Sequence, residues 1–372
     1  MYTARHYYLG SAVVAAYPWL EKLSRLWRLV KSIWSSVTDG KRVKEYFEDN
    51  VGGKAGVVLE SGEIRVADVV IAADGLRSAS EDLIPGEKPP TKSSGMSIYR
   101  IAFPRELAMK NELVRQRWQD TPPMWEYWLG PGMYMGIFST DEIMAFGFTP
   151  RDTQGIATES WEPDTDPEDV VKALKVADWD PAIVALVRTA PKKGIVHWPL
   201  LWRDLRREWT SEGGRVVQVG DSAHTFTPTS GNGATQALED AVTLATCLEH
   251  GGKQNAGLAT KIYNLLRFQR VSCAQKMTFV NAQLKTETNW DTIWKDPKSV
   301  KTRFPKWVWG HDPEEYAYEK YGQAFAHLVQ GAPFENTNFP PGHKFKPWTM
   351  EEVYRDLDSG VRAEDLLDGD WS

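Results

Sequence analysis

The sequence is poor in cysteine: Cys247 and Cys273 are the only two among 372 residues. That excludes a disulfide framework and any four-cysteine zinc site. It also suits a reducing compartment, so a cytoplasmic location is expected. The seven histidines lack H-E-x-x-H or any paired spacing, and no metal is expected. No apolar run reaches the ~18–20 residues a membrane span needs. Basic residues are outnumbered, 44 Lys and Arg against 50 Asp and Glu, and a net charge of −6 offers no basic face to nucleic acid. Repeats and low-complexity segments are missing too. What the chain has in abundance is tryptophan, 17 residues, and an aromatic content of 12 % is enough to build a substantial core. Hydrophobic and charged fractions of 42 % and 25 % are those of an ordinary folded protein, here long enough for two domains.

Residues 1–38 form an atypical amphipathic N-terminal segment. Trp19, Leu20, Leu23, Leu26, Trp27, Val30, Ile33 and Trp34 recur at helical spacing, with Lys22, Arg25, Arg28 and Lys31 on the other face. A helix laid over the core is preferred to a membrane-surface helix, so membrane association through 19–34 is not favoured. From residue 39 the pattern turns to strands: 43–47, then 55–59 and 63–66 as a hairpin, then the continuous apolar run 68–73 of a strand buried on both faces. Short aromatic strands at 97–103, 124–129, 133–139 and 143–149 read as an antiparallel sheet. Asp166 with Pro167, and Asp180 with Pro181, each start a helix. A buried strand at 215–219 precedes helices over 234–251 and roughly 258–284. In the tail, Thr349 and Glu352 form a capping box for a last short helix.

Two motifs carry chemistry. The first is Gly220-Asp221-Ser222-Ala223-His224, followed by Pro228 and Ser230-Gly231-Asn232-Gly233, then Glu239-Asp240. A buried strand thereby delivers an Asp at its carboxyl end, where ligands sit in open α/β sheets. A glycine-rich loop then admits close approach to the backbone, and a helix start turns free N–H groups and a positive dipole end toward the same place. The Asp suits sugar or polyol hydroxyls, and the helix terminus suits a delocalised negative charge. A reduced flavin has both needs. The second motif, Val69–Ala73 ending in Asp74-Gly75-Leu76-Arg77-Ser78, is again a buried strand ending in Asp-Gly.

These residues resemble the FAD-dependent aromatic hydroxylases, the salicylate and para-hydroxybenzoate hydroxylase group of flavoprotein monooxygenases, in their fungal secondary-metabolism form. Asp74-Gly75 is similar to the family's Asp-Gly motif, associated with FAD and NADPH, and Arg77 lies just behind it. Gly220-Asp221 is similar to its Gly-Asp motif, whose Asp binds the ribityl chain. Pro228 and Gly231-Asn232-Gly233 are similar to the loop beside the isoalloxazine ring, and Tyr99-Arg100 to the start of the substrate sheet. The resemblance covers about 39–372. It implies an α/β fold in which a parallel FAD-binding sheet, N-terminally incomplete, is interrupted by an antiparallel substrate domain and followed by a helical C-terminal region. The expected boundaries are 39–85 and 206–285 for the FAD domain, 86–205 for the substrate domain and 286–372 for the tail. It further implies an enzyme that uses FAD, NADPH and O2 to hydroxylate or epoxidise a small aromatic or polyene molecule. Arg100 and Arg203 are candidates to orient an acidic or phenolic substrate. His224 is either a general base or a structural histidine bonded to the loop backbone. No protein nucleophile is required. Gly220-Asp221-Ser222 also resembles a serine-hydrolase sequence, but Ala223 stands where that site wants glycine.

One part of the family pattern is missing. The family opens with a βαβ unit whose G-x-G-x-x-G holds the FAD pyrophosphate. Here Gly130-x-Gly132 is followed by Met135 and Gly231-x-Gly233 by Gln236, so the motif does not occur. The expectation is a truncated form that binds FAD weakly. The alternative is an inactive, flavin-free paralogue with a structural or binding role.

Overall fold

The structure is a computed structural model that describes residues 6–9, 38, 40–152, 155, 160–174, 178–228, 231–286 and 305–371. The stretch 19–34 lies outside them. In chain order the strands are β1 (His6–Leu9), β2 (Val43–Asp49), β3 (Lys54–Leu59), β4 (Ile64–Ala67), β5 (Val70–Ala72) and β6 (Lys92–Pro104). Then come β7 (Met124–Gly130), β8 (Met133–Ser139), β9 (Ile143–Thr149), β10 (Val196–Trp202) and β11 (Val216–Gln218). The α-helices are α1 (Arg105–Ala108), α2 (Glu112–Trp118), α3 (Pro167–Leu174), α4 (Pro181–Thr189) and α5 (Gly233–Gly251). They continue with α6 (Ala256–Thr286), α7 (Lys306–Trp309), α8 (Pro313–Gln330) and α9 (Met350–Asp358). Among the described residues, no helix is long and apolar enough to cross a membrane. The fold is α/β, with a parallel pair, antiparallel sheets and a helical C-terminal region.

The chain divides into two compact units. Of the described residues, one holds those within 6–9, 93–201 and 282–286; the other holds those within 38–92, 202–281 and 305–371. The first is built on a six-stranded sheet in the order β1-β7-β8-β9-β6-β10. Its inner positions, among them Phe103, Met135, Ile137, Phe146 and Phe148, pack with Val170, Leu174, Ile183 and Leu186 of α3 and α4. Tryptophan supplies bulk where its N–H finds a partner. The indoles of Trp118 and Trp128 both donate to Glu126 Oε2, at 3.2 and 3.1 Å. Asp180 caps α4 by accepting the Ala182 N–H at 2.8 Å, with Pro181 at the first helical position.

In the second unit β2, β3 and β4 form an antiparallel sheet. β5 and β11 pair in parallel, in the register Val216–Val70, Val217–Ile71 and Gln218–Ala72. Val216, Val217 and Gln218 are all buried, which is why this strand reads as a short apolar run and not as an alternation. α5 and α6 supply Leu244, Cys247, Ile262, Tyr263 and Leu266 to a core that also contains Trp209 and Val217. Burial pushes the Cys247 and Cys273 thiols up to about 12, so neither carries thiolate at neutral pH. The tail adds α8, started by Asp312 and Pro313, and α9, whose Thr349–Glu352 capping box is formed.

Candidate functional site

Because β5 and β11 run in parallel, the two motifs leave the sheet at the same end. The Val219 N–H donates to Ala72 O at 3.0 Å and carries the pairing one step past the strands. Ser222 then joins the motifs directly. Its Oγ accepts the Gly75 N–H at 2.8 Å and donates to Asp74 Oδ1 at 3.3 Å. Asp74 Oδ2 in turn accepts the Ala79 N–H at 3.2 Å, which closes the turn that exposes Arg77. The Tyr46 phenol is held well above its ordinary value, by burial first and by Asp74 second.

The Gly220–Ser222 turn needs its glycine. Gly220 has φ +58°, and a Cβ there would lie 3.1 Å from Ala237 Cβ. Its N–H donates to Asp240 Oδ2 at 2.9 Å. The Asp221 side chain points outward and is exposed, and it has no hydrogen-bond or ion-pair partner among the described residues. Yet the surrounding protein holds its carboxyl above the ordinary value by desolvation, partly opposed by His224. This carboxylate is therefore incompletely solvated and free to accept hydrogen bonds from outside the chain.

The loop that follows ends in a helix start without a cap. The Gly231 N–H donates to Pro228 O at 3.2 Å, and Gly231 has φ +63°. Gly233 is helical, and a Cβ there would meet Phe226 Cβ at 3.4 Å, an ordinary contact. The backbone demand for glycine thus falls on Gly231, while Gly233 leaves the first turn of α5 uncovered. Asn232, at the N-cap, makes no side-chain cap bond. Its Nδ2 is buried without a partner. An unpaired amide donor beside uncapped N–H groups fits an acceptor-rich, negatively charged edge, and Asp221 fits hydroxyls. Those are the two ends of a flavin's needs.

Behind the loop lies a buried charge network that the sequence reading missed. Asp240 accepts from Gly220, from His224 Nε2 at 2.5 Å and from Arg267 Nε at 2.8 Å. Arg267 also reaches Glu239 Oε2 at 2.5 Å and Gln236 Oε1 at 2.8 Å. Arg270 grips Glu239 at 2.7 and 2.8 Å and donates to the carbonyls of Trp307, Val308 and Asn338. Burial alone would raise the Glu239 carboxyl, but Arg270 and Arg267 outweigh it and hold it at about 2, against an ordinary 4.5. Asp240 is likewise held well below its range, because His224 and Arg267 outweigh burial. The one signal available was the spacing of Arg267 and Arg270, one turn apart on the helix expected over roughly 258–284.

A carboxylate with a depressed folded value contributes stability that is complete above its unfolded value and is lost as pH falls through the folded one. The urea midpoint is therefore expected to fall between pH 4.5 and about 2 as Glu239 is protonated. Glu239→Gln should start lower at neutral pH and fall less steeply across that window. An equally steep profile contradicts the assignment.

The structure separates the remaining candidates. His224 is buried, bonded to Asp240 rather than to the loop backbone, and packed against Trp209 and Phe226. Arg203 is buried as well, donating to Glu81 Oε1 at 2.7 Å and to Ser222 O at 2.9 Å. Arg100 is exposed on β6 in the other unit, its guanidinium 4.5 Å over the ring of Trp161.

Fold and motifs together define a flavin-dependent class of protein, and comparison with known proteins gives the family. A family profile, FAD binding domain, matches residues 30–260. The chain belongs to the FAD-dependent monooxygenases, a family of enzymes. It is 72 % identical over 355 residues to the FAD-dependent monooxygenase dmxR9 of Cryptosporiopsis sp. (strain 8999), covering 95 % of this chain and 69 % of that protein. To the FAD-dependent monooxygenase mdpD of Emericella nidulans it is 67 % identical over 341 residues, covering 90 % of this chain and 66 % of the relative. The crystal structure of CtdE in complex with FAD and substrate 4 superposes with a TM-score of 0.70 at 26 % identity, over 78 % of this chain and 70 % of that one. The chain thus spans about two thirds of the length of its relatives.

Proposed function

We propose that this protein is a monooxygenase of fungal secondary-metabolite biosynthesis that uses FAD, NADPH and O2 to hydroxylate or epoxidise a small aromatic or polyene molecule. The observation that carries the reading is the exposed, partnerless Asp221 beside the uncapped start of α5. Both follow a strand whose end is bonded to Asp74-Gly75. Bound FAD would supply the electron transfer from NADPH and the activation of O2. Everything else is left to the chain's own residues. Asp221 accepts hydrogen bonds from the ribityl hydroxyls. Asn232 Nδ2 and the first N–H groups of α5 would hold the part of the flavin that takes up negative charge. Gly220, Pro228, Gly231 and Gly233 keep the backbone clear, and Asp74, Gly75 and Arg77 support cofactor packing. Arg203 and His224 act as positioning residues: one holds the Ser222 carbonyl, the other the Asp240 carboxylate. Residues 39–85 and 206–285 form the cofactor domain, 86–205 the substrate domain and 286–372 a C-terminal region. In the substrate domain, Arg100 stacked on the exposed Trp161 suits a phenolate or acidic ring.

The test is to supply the purified chain with FAD and follow NADPH oxidation and O2 uptake. The reading expects flavin-dependent NADPH oxidation that a phenolic or polyene substrate accelerates. A chain that binds FAD but is reduced by neither NADPH nor NADH contradicts it.

A further inference from the structure

A cavity of about 270 Å³ opens beside the middle of α6, walled also by α9 and by residues of 343–348 and 361–368. It lies apart from the motifs discussed so far, and its charge is lopsided. Lys276, Lys344 and Lys346 line it, and none of the three has an ion-pair partner among the described residues. Three carboxylates line it too, but one is taken up by an arginine. Asp365 takes both Nε and Nη2 of Arg362 at 2.8 Å. Asp368 accepts from His343 Nδ1 and from the Lys344 N–H at 3.4 Å. Asp356 and Asp368 are left to stand against three ammonium groups, an excess of positive charge in a chain whose net charge is −6. Lys276 is half-buried, on a stretch of α6 where Cys273, Ala274, Met277 and Thr278 are buried. Burial holds its amine below the ordinary lysine range; Asp368 and Asp356 oppose this and Lys346 adds to it. Phe345, Trp348 and Leu366 give the wall an apolar part beside Ser272 and His343, and Trp348 already uses its indole N–H on Ser272 Oγ at 3.0 Å.

We propose that this cavity binds a small organic anion, a carboxylate carried on an aromatic ring, with the lysines on the carboxylate and the Phe345–Trp348–Leu366 wall on the ring. Ammonium groups that line one cavity repel where they approach, as Lys346 does Lys276, and an anion between them relieves that repulsion. A fully hydrated inorganic anion gains nothing from the aromatic wall, and a neutral ring gains nothing from the lysines. Both features together select an amphiphilic anion.

The experiment is isothermal titration of the full chain with naphthalene-2-carboxylate, naphthalene-2-carboxamide and inorganic phosphate. The carboxylate should bind at least tenfold more tightly than either of the others. Lys276→Gln should weaken it tenfold or more, with the thermal midpoint and FAD affinity unchanged, and Lys276→Arg should restore most of it. If Lys276→Gln fails to fold, the exposed pair Lys344→Gln/Lys346→Gln gives the same readout. Equal binding of the carboxamide or of phosphate overturns the ligand class. Carboxylate binding that is absent, or indifferent to these lysines, overturns the site.

Discussion

Replacing Asp221 by alanine should raise the dissociation constant for FAD roughly 10- to 150-fold, the cost of one charge-assisted hydrogen bond at about 1.5–3 kcal/mol. The fold should be left alone. Asp221 makes no ion pair among the described residues, and its side chain is exposed, so its removal leaves no buried group there unpaired. Removing a carboxylate whose value burial has raised should, if anything, relieve a small desolvation cost. Titration by flavin fluorescence, alongside a thermal melt, separates the two effects. Unchanged FAD affinity removes Asp221 from the site. A large loss of thermal stability instead makes it a structural residue.

The opposite pattern is expected behind the loop. Arg267→Met should cost about 3–5 kcal/mol of stability, because it strands two fully enclosed carboxylates, Glu239 and Asp240, without their shared cation. Arg270 still holds Glu239, so the larger loss falls on Asp240. Asp240 is also what anchors the Gly220 N–H and His224, so FAD affinity should fall together with stability. Arg267→Lys should recover only part, since one ammonium cannot reach Asp240, Glu239 and the Gln236 side chain in the fork that a guanidinium provides. Urea unfolding at neutral pH measures the first effect. A change below about 1 kcal/mol would mean that the network is solvated, not buried.

The motifs were legible because each sits where periodicity changes abruptly, from a short apolar run to Asp and Gly. The run 68–73 was expected to be buried on both faces, but in β5 Val70 is only partly buried and Ile71 is exposed; what the two paired strands share is the ending. Other elements were hidden for identifiable reasons. β10 contains Pro199, which argues against a central strand; it lies at the end of the six-stranded order, where a missing N–H is tolerated. α8 carries the same Asp-Pro start as α4, but it buries Ala317 and Ala324, so its apolar stripe is faint among the prolines and tryptophans of the tail. Beyond the spacing of Arg267 and Arg270, their network was hidden because α6 buries polar side chains, Asn264, Arg267, Arg270, Gln275 and Asn281 among them, and a hydrophobic pattern cannot report those. Nor could the pattern report that Arg203 and His224, both substrate candidates, are buried and bonded to Glu81 and Asp240.

The central claim is that flavin rests on the Gly220–Ser222 turn and on the first turn of α5. Hydrogen–deuterium exchange with and without FAD tests it without any substitution. The amides of Gly233, Ala234 and Thr235 have no side-chain cap and should exchange quickly in the free chain. On adding FAD, peptides covering 220–222 and 231–236 should gain protection, while peptides from β7 and β8 should not change. Protection confined to other segments, with the start of α5 exchanging as before while FAD is bound, would contradict the account.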